Sequence, residues 1–396
     1  MTLRAALTLL AAAVPAGQAA PAVQQPPVAP QAPVAPQAPM AIRWVDRLPE
    51  TDNDRAGTRF AAVEARHGFR GEYVIARGPN SWDVDTIVRA GPLKRLRTDA
   101  DIRAAGAPVV WRWASVTKQI VATLIMQEVD AGRINLDTSV ATYLPRFASA
   151  NAARVTVRQL LRHQSGLPNP EDTAPSPDAV PAYDRPDYTG SRDPLTGYCA
   201  GPVKEAAGGN WSYNNCDYVV AGALLEAVTG KRWQTLVDER LARPLGLKSL
   251  GAFPTKRATV QGSVSGRPDS DYDLAAFGAA AGLFGTAQDL LAFDRALLGG
   301  KLMSARARAE MWDGQAKLGW IALGQWVFPA SLKGCDAPVR IVERRGQIGG
   351  VQVRNIMIPE KDVVVIAFVD RAEFEFGEIW QGKGFSFDML SAAACS

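Results

Sequence analysis

Residues 113–137 read WASVTKQIVATLIMQEVDAGRINLD. Apolar residues recur in this stretch at the spacing of a helix, at Ile120, Val121, Leu124, Ile125 and Val129. Gly132 is typical of a helix end, so the pattern predicts a buried helix over residues 115–130. The first turn of this helix carries Ser115-Val116-Thr117-Lys118, the only Ser-x-x-Lys of the chain.

Ser115 and Lys118 are a candidate nucleophile and base. A serine hydroxyl attacks a carbonyl only when a nearby base takes its proton. Residues three apart share one face of a helix, so the Lys118 amine can reach the Ser115 hydroxyl. The positive end of the helix dipole favours a developing alkoxide, and burial or neighbouring cations would keep Lys118 neutral. The alternative interpretation is a serine that caps a helix and a solvated lysine.

A serine–histidine site has less support in this sequence. It requires a Gly-x-Ser-x-Gly turn, which is absent, and the chain has only two histidines, His67 and His163. His163 precedes a Ser-Gly turn, where we expect an imidazole that bonds backbone carbonyls. His67 ends a predicted helix, where we expect a capping cation. With so few histidines and no Cys-x-x-Cys, we expect no metal site, and the chemistry calls for no cofactor.

The rest of the chain predicts an α+β fold. Strands rich in β-branched residues are predicted at 71–75, 83–88, 339–343, 351–358 and 362–369. Helices are predicted at 50–67, 157–163, 215–228, 233–241, 287–298 and 385–394. Strands at both ends with helices between them favour an antiparallel sheet flanked by N- and C-terminal helices, plus a helical lobe. The active site is expected where the sheet and the lobe meet.

Residues 169–209 are rich in Pro, Asp, Gly and Ser and predict a long surface loop that forms one wall of a cleft. Four cysteines occur in the chain, so two disulfides can form with three possible pairings. We favour the local pairing, Cys199 with Cys216 and Cys335 with Cys395, which ties the loop down at Cys199. A bridge across the shorter of these loops stabilises by roughly 3 kcal/mol.

The N-terminal residues predict export. Residues 1–20 contain Arg4, a short apolar run and small residues at a cleavage position, which is typical of a signal peptide. Residues 21–40 repeat Pro, Gln, Ala and Val and predict an extended linker that holds the domain, residues 41–396, off a surface. We therefore expect a periplasmic or secreted protein, tethered near the cell envelope.

Composition excludes several classes of partner. The chain has 396 residues, of which 47% are hydrophobic and 21% are charged, and its net charge of +4 is spread without a basic run. This composition is that of a globular protein and shows no nucleic-acid patch and no polybasic membrane signal. No segment is long and apolar enough to predict a membrane span.

Several blocks, in the same order, resemble the class C β-lactamase, penicillin-binding-protein and esterase family of serine hydrolases. The first is the stretch around Ser115, residues 113–137. The second is residues 160–168, LLRHQSGLP, and the third is residues 281–290, which begin AGLFGTA. The resemblance covers about residues 60–369. It implies the β-lactamase/transpeptidase fold, with Ser115 as nucleophile and Lys118 as its base.

The family's second motif, Tyr-x-Asn, has one match, Tyr213-Asn214-Asn215. The resemblance implies that Tyr213 relays protons between Ser115 and the leaving group. It also implies that Asn215 binds the substrate and orients Lys118. The alternative is a half-buried tyrosine and an asparagine that caps a helix.

The family's third motif, Lys-Thr-Gly or His-x-Gly on the strand lining the cleft, is altered here. The matching segment is Arg344-Arg345-Gly346-Gln347. Arginine cannot lose its proton, so Arg344 cannot act as an acid or base, but it can hold a substrate carboxylate by a bidentate pair. The amides of Gln347 and Ser115 are expected to form the oxyanion hole. The alternative for Arg344 is an ordinary cation at a strand end.

Three functional hypotheses follow. The first is an exported serine hydrolase that forms an acyl-enzyme with esters, D-amino-acid peptides or related amides. The second is a true β-lactamase, which the altered third motif disfavours. The third, motivated by the same motif and by the Pro-rich linker, is a catalytically weak envelope protein that binds or scaffolds. The intact Ser115, Lys118, Tyr213 and Asn215 favour the first.

Overall fold

The computed structural model describes residues 50–78, 80–85 and 109–395. The predicted signal peptide and Pro-rich linker lie outside these residues. The helices are α1 (Glu50–His67), α2 (Thr117–Asp130), α3 (Val140–Tyr143), α4 (Val157–Leu161), α5 (Asn215–Thr229), α6 (Trp233–Val237), α7 (Arg243–Leu245), α8 (Gly278–Ala281), α9 (Ala287–Leu298), α10 (Ala305–Met311) and α11 (Phe385–Ala394).

The strands are β1 (Glu72–Arg77), β2 (Asn80–Asp85), β3 (Trp111–Arg112), β4 (Gly251–Ala252), β5 (Ser263–Val264), β6 (Arg267–Pro268), β7 (Leu283–Gly285), β8 (Trp326–Ala330), β9 (Val339–Ile348), β10 (Val351–Ile358) and β11 (Val363–Val369). Six of them form one antiparallel sheet in the order β2-β1-β11-β10-β9-β8. Strands β3, β7 and β4 form a small second sheet, and β5 pairs with β6.

Strand β11 shows why the central sheet is buried on both faces. All seven of its residues are apolar and buried. Successive side chains point to opposite faces of a strand, so its odd-numbered residues pack in one core and its even-numbered residues in another. The first core contains side chains of α1 and α11, and the second contains α2, α5 and α9. This arrangement confirms the α+β fold with terminal helices on one face and a helical lobe on the other.

The segment around Ser115 differs from the prediction at its start. Ser115 lies in a 3₁₀ turn, Ala114–Val116, and the α-helix begins only at Thr117. Ala114 has a φ of +46°, a conformation uncommon for a residue with a side chain. Backbone strain of this kind is concentrated at functional sites.

Other element bounds also differ. The second strand was placed at 83–88, but β2 is Asn80–Asp85, and residues 86–88 lie outside the described part of the chain. Helix α4 ends at Leu161, because His163 has a φ of +58° and cannot continue a right-handed helix. The helix predicted over 233–241 is α6 followed by a π-helical turn, Asp238–Ala242. Strand β9 extends to Ile348 and so includes the third motif.

The disulfide pairing is confirmed. Cys199 bonds Cys216, 17 residues away, and Cys335 bonds Cys395, 60 residues away. The first bridge joins the long loop of residues 169–209 to the second residue of α5. The second joins the segment after β8 to the end of α11.

Candidate active site

Ser115 is held between two strands. The Trp113 amide donates to the Leu283 carbonyl of β7 at 2.9 Å, and the Leu283 amide donates to Thr117 Oγ1 at 3.1 Å. On the other side lies Gly346 of β9, where an added Cβ would come within 2.9 Å of the Ser115 amide nitrogen. A side chain at residue 346 would push the strand away from the turn, so the glycine permits the close approach.

Lys118 lies directly beneath Ser115. Its Nζ is 3.0 Å from Ser115 Oγ, 2.6 Å from Tyr213 Oη and 2.7 Å from Asn215 Oδ1. A fourth neighbour, the Ala280 carbonyl oxygen of α8, is 3.1 Å away. The side chain is fully buried.

Burial sets the charge of this lysine. Removal from water disfavours the ammonium and lowers the pKa of Lys118 well below its ordinary range, and the nearby Arg344 guanidinium lowers it further. Glu171, Asp217 and Asp184 act in the opposite direction. The lowered pKa favours the neutral amine, the form that can take a proton from Ser115.

Tyr213 also contacts Ser115. Its Oη lies 2.5 Å from Ser115 Oγ. Burial raises the pKa of the Tyr213 phenol, while Arg344 and the hydrogen bond to Ser115 partly oppose that rise. Tyr213 precedes the Asn214 cap of α5 and its backbone carbonyl accepts from Asn169 Nδ2 at 3.2 Å, so the loop and the helix together hold it.

Asn215 connects the lysine to the loop. Its Oδ1 accepts from Lys118, and its Nδ2 donates to Glu171 Oε1 at 2.9 Å. The carboxylate of Glu171 only accepts, so it fixes the amide with the oxygen toward Lys118. The Asn215 backbone amide donates to Asn169 Oδ1 at 3.1 Å, which ties the start of α5 to the same loop.

Arg344 points into the site and is 1% exposed. Its Nε donates to the Ser115 carbonyl at 2.8 Å and its Nη2 to Tyr213 Oη at 3.1 Å. The guanidinium carbon lies 5.5 Å from the Tyr213 ring centroid and 5.2 Å from that of Trp326. Two aromatic faces thus enclose the cation. Nη1 is the guanidinium nitrogen with no hydrogen-bond partner in the described part of the chain.

Gln347 follows on the same strand and is exposed. It pairs with Gln352 of β10, and its side-chain Nε2 donates to the Gly349 carbonyl at 3.2 Å. Strand β8 pairs with β9 only as far as Glu343, so β8 does not cover the segment from Arg344 to Ile348. This is the stretch of β9 that faces the Ser115 turn at Gly346.

His163 is buried, but its partner is not the one expected. Its Nδ1 lies 2.9 Å from Asp217 Oδ2 on α5, where we expected backbone carbonyls. Burial together with Lys118 and Arg344 lowers the pKa of His163, and burial raises the pKa of Asp217. His67 bonds Asp388 of α11 through Nε2 at 2.8 Å and thereby joins the two terminal helices.

Sequence reasoning missed two acidic residues of the long loop, Glu171 and Asp184. Asp184 is 2% exposed, and burial with the neighbouring Glu171 raises its pKa to about 7. The loop has no regular periodicity, so the only signal was its several Asp and Glu residues close to the second block. Among the described residues, no group of three or more His, Cys, Asp or Glu side chains is arranged to hold a metal ion.

Within residues 50–78, 80–85 and 109–395, no helix has the length and apolar character to cross a bilayer.

Known proteins resemble this chain in sequence and in fold. The Beta-lactamase family matches residues 95–381, which is more than half of the chain. Penicillin-binding protein 4 of Amycolatopsis lactamdurans is 34% identical over 174 residues, 41% of this chain and 42% of the relative. Esterase EstB of Burkholderia gladioli is 34% identical over 186 residues, 42% of this chain and 46% of the relative. These matches therefore span less than half of either curated relative.

A solved structure extends the comparison of the fold. The D-stereospecific amidohydrolase from Streptomyces sp. superimposes with a TM-score of 0.64 at 21% identity, over 87% of this chain and 99% of that one. With the match over residues 95–381 and the order of motifs around Ser115, Tyr213 and Arg344, this likeness leads to one conclusion. The chain belongs to the β-lactamase family of serine hydrolases.

Proposed function

We propose that this protein is an exported hydrolase that forms an acyl-enzyme on Ser115 with esters, D-amino-acid peptides or related amides. One observation carries the proposal. The Ser115 hydroxyl lies 3.0 Å from a fully buried lysine amine and 2.5 Å from a tyrosine hydroxyl. A neutral base and a second proton carrier within hydrogen-bond reach are what an activated serine requires.

In acylation, Ser115 Oγ bonds to the substrate carbonyl carbon and gives its proton to Lys118 Nζ. The carbonyl oxygen becomes an oxyanion, which we assign to the backbone amides of Ser115 and Gln347. When the tetrahedral intermediate collapses, the bond to the leaving group breaks. Tyr213 gives its proton to the leaving amine or alkoxide and recovers one from Lys118, 2.6 Å away.

Deacylation uses the same groups in reverse. Water attacks the acyl carbon, Tyr213 takes a proton from the water, and the phenol's own proton passes to Lys118. Collapse of the second intermediate breaks the bond to Ser115 Oγ, which takes the proton back from Lys118. The products are a carboxylic acid and free Ser115, with both bases restored.

The substrate-binding roles follow from position. Asn215 Oδ1 keeps Lys118 in place. We assign the side-chain amide of Asn215 to contact with the substrate. Arg344 is bonded to Ser115 and Tyr213, and its remaining terminal nitrogen, Nη1, is buried, so the guanidinium is not open to a bidentate contact with a substrate carboxylate. We therefore assign Arg344 mainly to the orientation of Tyr213 and to the electrostatics of Lys118. Gly346 allows β9 to approach the Ser115 turn.

The substrate class is supported by the relatives' names and by the altered third motif. One relative is named an esterase and one structural neighbour a D-stereospecific amidohydrolase. An arginine at residue 344 is immobilised by two hydrogen bonds, where the family's lysine would be freer to bind a β-lactam carboxylate. Two buried disulfide-bonded cysteines, Cys199 and Cys216, fit an oxidising compartment such as the periplasm.

A substrate panel tests this proposal. Nitrophenyl esters, D-amino-acid amides, D-alanyl peptides and a chromogenic β-lactam are incubated with the protein and with Ser115→Ala. We expect turnover of an ester or D-amide that Ser115→Ala abolishes, and little turnover of the β-lactam. Efficient β-lactam hydrolysis would instead favour the β-lactamase alternative. Stoichiometric binding without turnover of any member of the panel would favour the scaffold alternative.

A further inference from the structure

His163 contacts the residues on both sides of Tyr213. Its carbonyl accepts a hydrogen bond from the Ser212 amide at 2.9 Å, and its Nδ1 lies 3.3 Å from the Asn214 amide nitrogen. The imidazole and the Tyr213 ring are in contact, with centroids 4.8 Å apart. His163 has a left-handed φ of +58°, and both its carbonyl and its ring contact this loop. The position of the Tyr213 phenol therefore depends on this residue.

The hydrogen bonds around the ring define where its proton lies. The Asn214 amide can only donate, so Nδ1 presents a lone pair to it. Nδ1 has a single lone pair, so in this arrangement the proton between Nδ1 and Asp217 Oδ2, 2.9 Å apart, lies on the aspartic acid and shares that lone pair with the Asn214 N–H. Ser165 Oγ donates to the other oxygen, Asp217 Oδ1, and accepts from the Leu167 amide at 3.0 Å. These hydrogen bonds describe a neutral imidazole, with its proton on Nε2, and a neutral carboxyl.

The surroundings favour the same uncharged state. The side chains of His163 and Asp217 are both fully buried. The groups that face the ring are the Tyr213 and Tyr218 phenols, with Lys118 and Arg344 close enough to act on its charge. Burial lowers the pKa of His163 and raises the pKa of Asp217. An imidazolium here would add a cation near Arg344 in a fully buried position.

A relay through His163 to the nucleophile is not supported by the geometry. The partners of Tyr213 Oη are Ser115, Lys118 and Arg344. His163 Nε2 has no hydrogen-bond partner among the described residues, so it does not bond to the phenol. The ring touches the tyrosine by packing and holds its backbone.

We propose that His163 is a positioning residue for Tyr213, and that it acts as a neutral imidazole hydrogen-bonded to a protonated Asp217. The inference rests on the proposed function, because Tyr213 matters only if Ser115 reacts. It assigns the buried His–Asp pair to the geometry of the proton carrier and gives it no part in proton transfer.

Asp217→Asn is the sharpest test of the protonation state. The asparagine Nδ2 can donate to His163 Nδ1 and its Oδ1 can accept from Ser165, as the protonated carboxyl does. We expect kcat/KM within about threefold of wild type, with an unchanged shape of the pH profile. Folding of the wild type requires Asp217, ionised in the unfolded chain above about pH 4, to take up a proton. The side-chain amide of the Asp217→Asn variant takes up no proton on folding, so the Tm of this variant at pH 7 is expected to stay the same or rise.

An ionised pair predicts a different result. If Asp217 were a carboxylate stabilising an imidazolium that takes part in catalysis, the amide would lower kcat by about 10²-fold or more in a folded protein. That loss, with a normal Tm, would overturn the proposal.

Substitutions at His163 test the positioning role. His163→Ala removes the acceptor for the Asn214 amide, and we expect kcat to fall by about 10²-fold with a smaller change in KM, because Tyr213 is displaced. His163→Asn keeps an acceptor and tolerates the left-handed φ, so it should recover much of the loss. His67→Asn, at the chain's other histidine, is the matched control and should retain wild-type activity. Equal activity of His163→Ala and wild type would overturn the positioning role.

Nuclear magnetic resonance of the imidazole nitrogens gives a readout that does not depend on activity. With His67→Asn to assign the signals, His163 should show an unprotonated Nδ1 and a protonated Nε2 from about pH 5 to 9. A protonated Nδ1 would contradict the proposal even if no substrate were found. An inactive wild type with the expected nitrogen signals would count against the proposed function alone.

Discussion

The Arg344 Nε donates a hydrogen bond to the backbone carbonyl of Ser115 at 2.8 Å. The Arg344 guanidinium is thus bonded to the peptide group of Ser115, and its Nη2 donates to Tyr213 Oη at 3.1 Å. A permanent positive charge in this position lowers the pKa of Lys118 and opposes the rise in the pKa of Tyr213. Arg344 therefore acts on both groups that carry the serine proton.

Removal of the positive charge of Arg344 should shift the pH profile of kcat. Arg344 lowers the pKa of Lys118, so Arg344→Gln should raise it, and the acid limb of the kcat profile should shift to higher pH. Loss of the donor to Tyr213 should also lower kcat by about 10- to 100-fold. The measurement is kcat against pH for an activated ester.

Arg344→Lys is the matched control for the charge. This variant keeps a cation, so the acid limb should stay near its wild-type position. Its kcat should still fall, because the lysine cannot reproduce the two hydrogen bonds of the guanidinium to Ser115 and Tyr213. An acid limb that does not move in Arg344→Gln would contradict the electrostatic role assigned to the guanidinium.

Asp184 should act with the opposite sign. Its carboxyl, with a pKa raised to about 7, raises the pKa of Lys118 when it is ionised. Asp184→Asn should therefore shift the acid limb of the kcat profile to lower pH. Asp178→Asn, at an exposed acid of the same loop, should leave the profile unchanged. An acid limb that stays in place in Asp184→Asn would show that the carboxyl does not act on Lys118.

The two disulfides should differ in their effect on activity. The Cys199–Cys216 bridge ends one residue after Asn215, so Cys199→Ser with Cys216→Ser should lower both stability, by roughly 3 kcal/mol, and kcat. Cys335→Ser with Cys395→Ser loosens the end of α11 and should lower stability without changing kcat. Urea unfolding measures the stability of each double variant, and ester turnover measures its kcat. Equal kcat in the two double variants would show that the loop held by Cys199–Cys216 does not position the active-site residues.

Ser115 and Lys118 were predictable from sequence because their relation is local. Two side chains three residues apart lie on one face of a helix whatever the rest of the fold does. The two-faced burial of β11 was likewise visible as a continuous apolar run. The 3₁₀ turn at Ser115 was not, because the contacts with β7 and β9 that hold it come from distant segments.

Contacts across long sequence separations could not be derived from local pattern. Tyr213 lies 98 residues from Ser115, and only the resemblance to a family placed it in the site. The sequence predicts that His163 bonds backbone carbonyls, because its actual partner, Asp217, is 54 residues away on helix α5. Glu171 lies in a loop without periodicity, so nothing local marked it as the partner of Asn215.

Covalent labelling of Ser115 tests the central claim most directly. The folded protein is treated with a fluorophosphonate, digested, and its modified peptide is identified by mass spectrometry, with Ser115→Ala and Lys118→Ala in parallel. We predict one adduct, on Ser115, absent from Ser115→Ala and formed at least about 10²-fold more slowly in Lys118→Ala, which lacks the base. An unlabelled Ser115 in the folded wild-type protein, or an equal labelling rate in Lys118→Ala, would contradict the account.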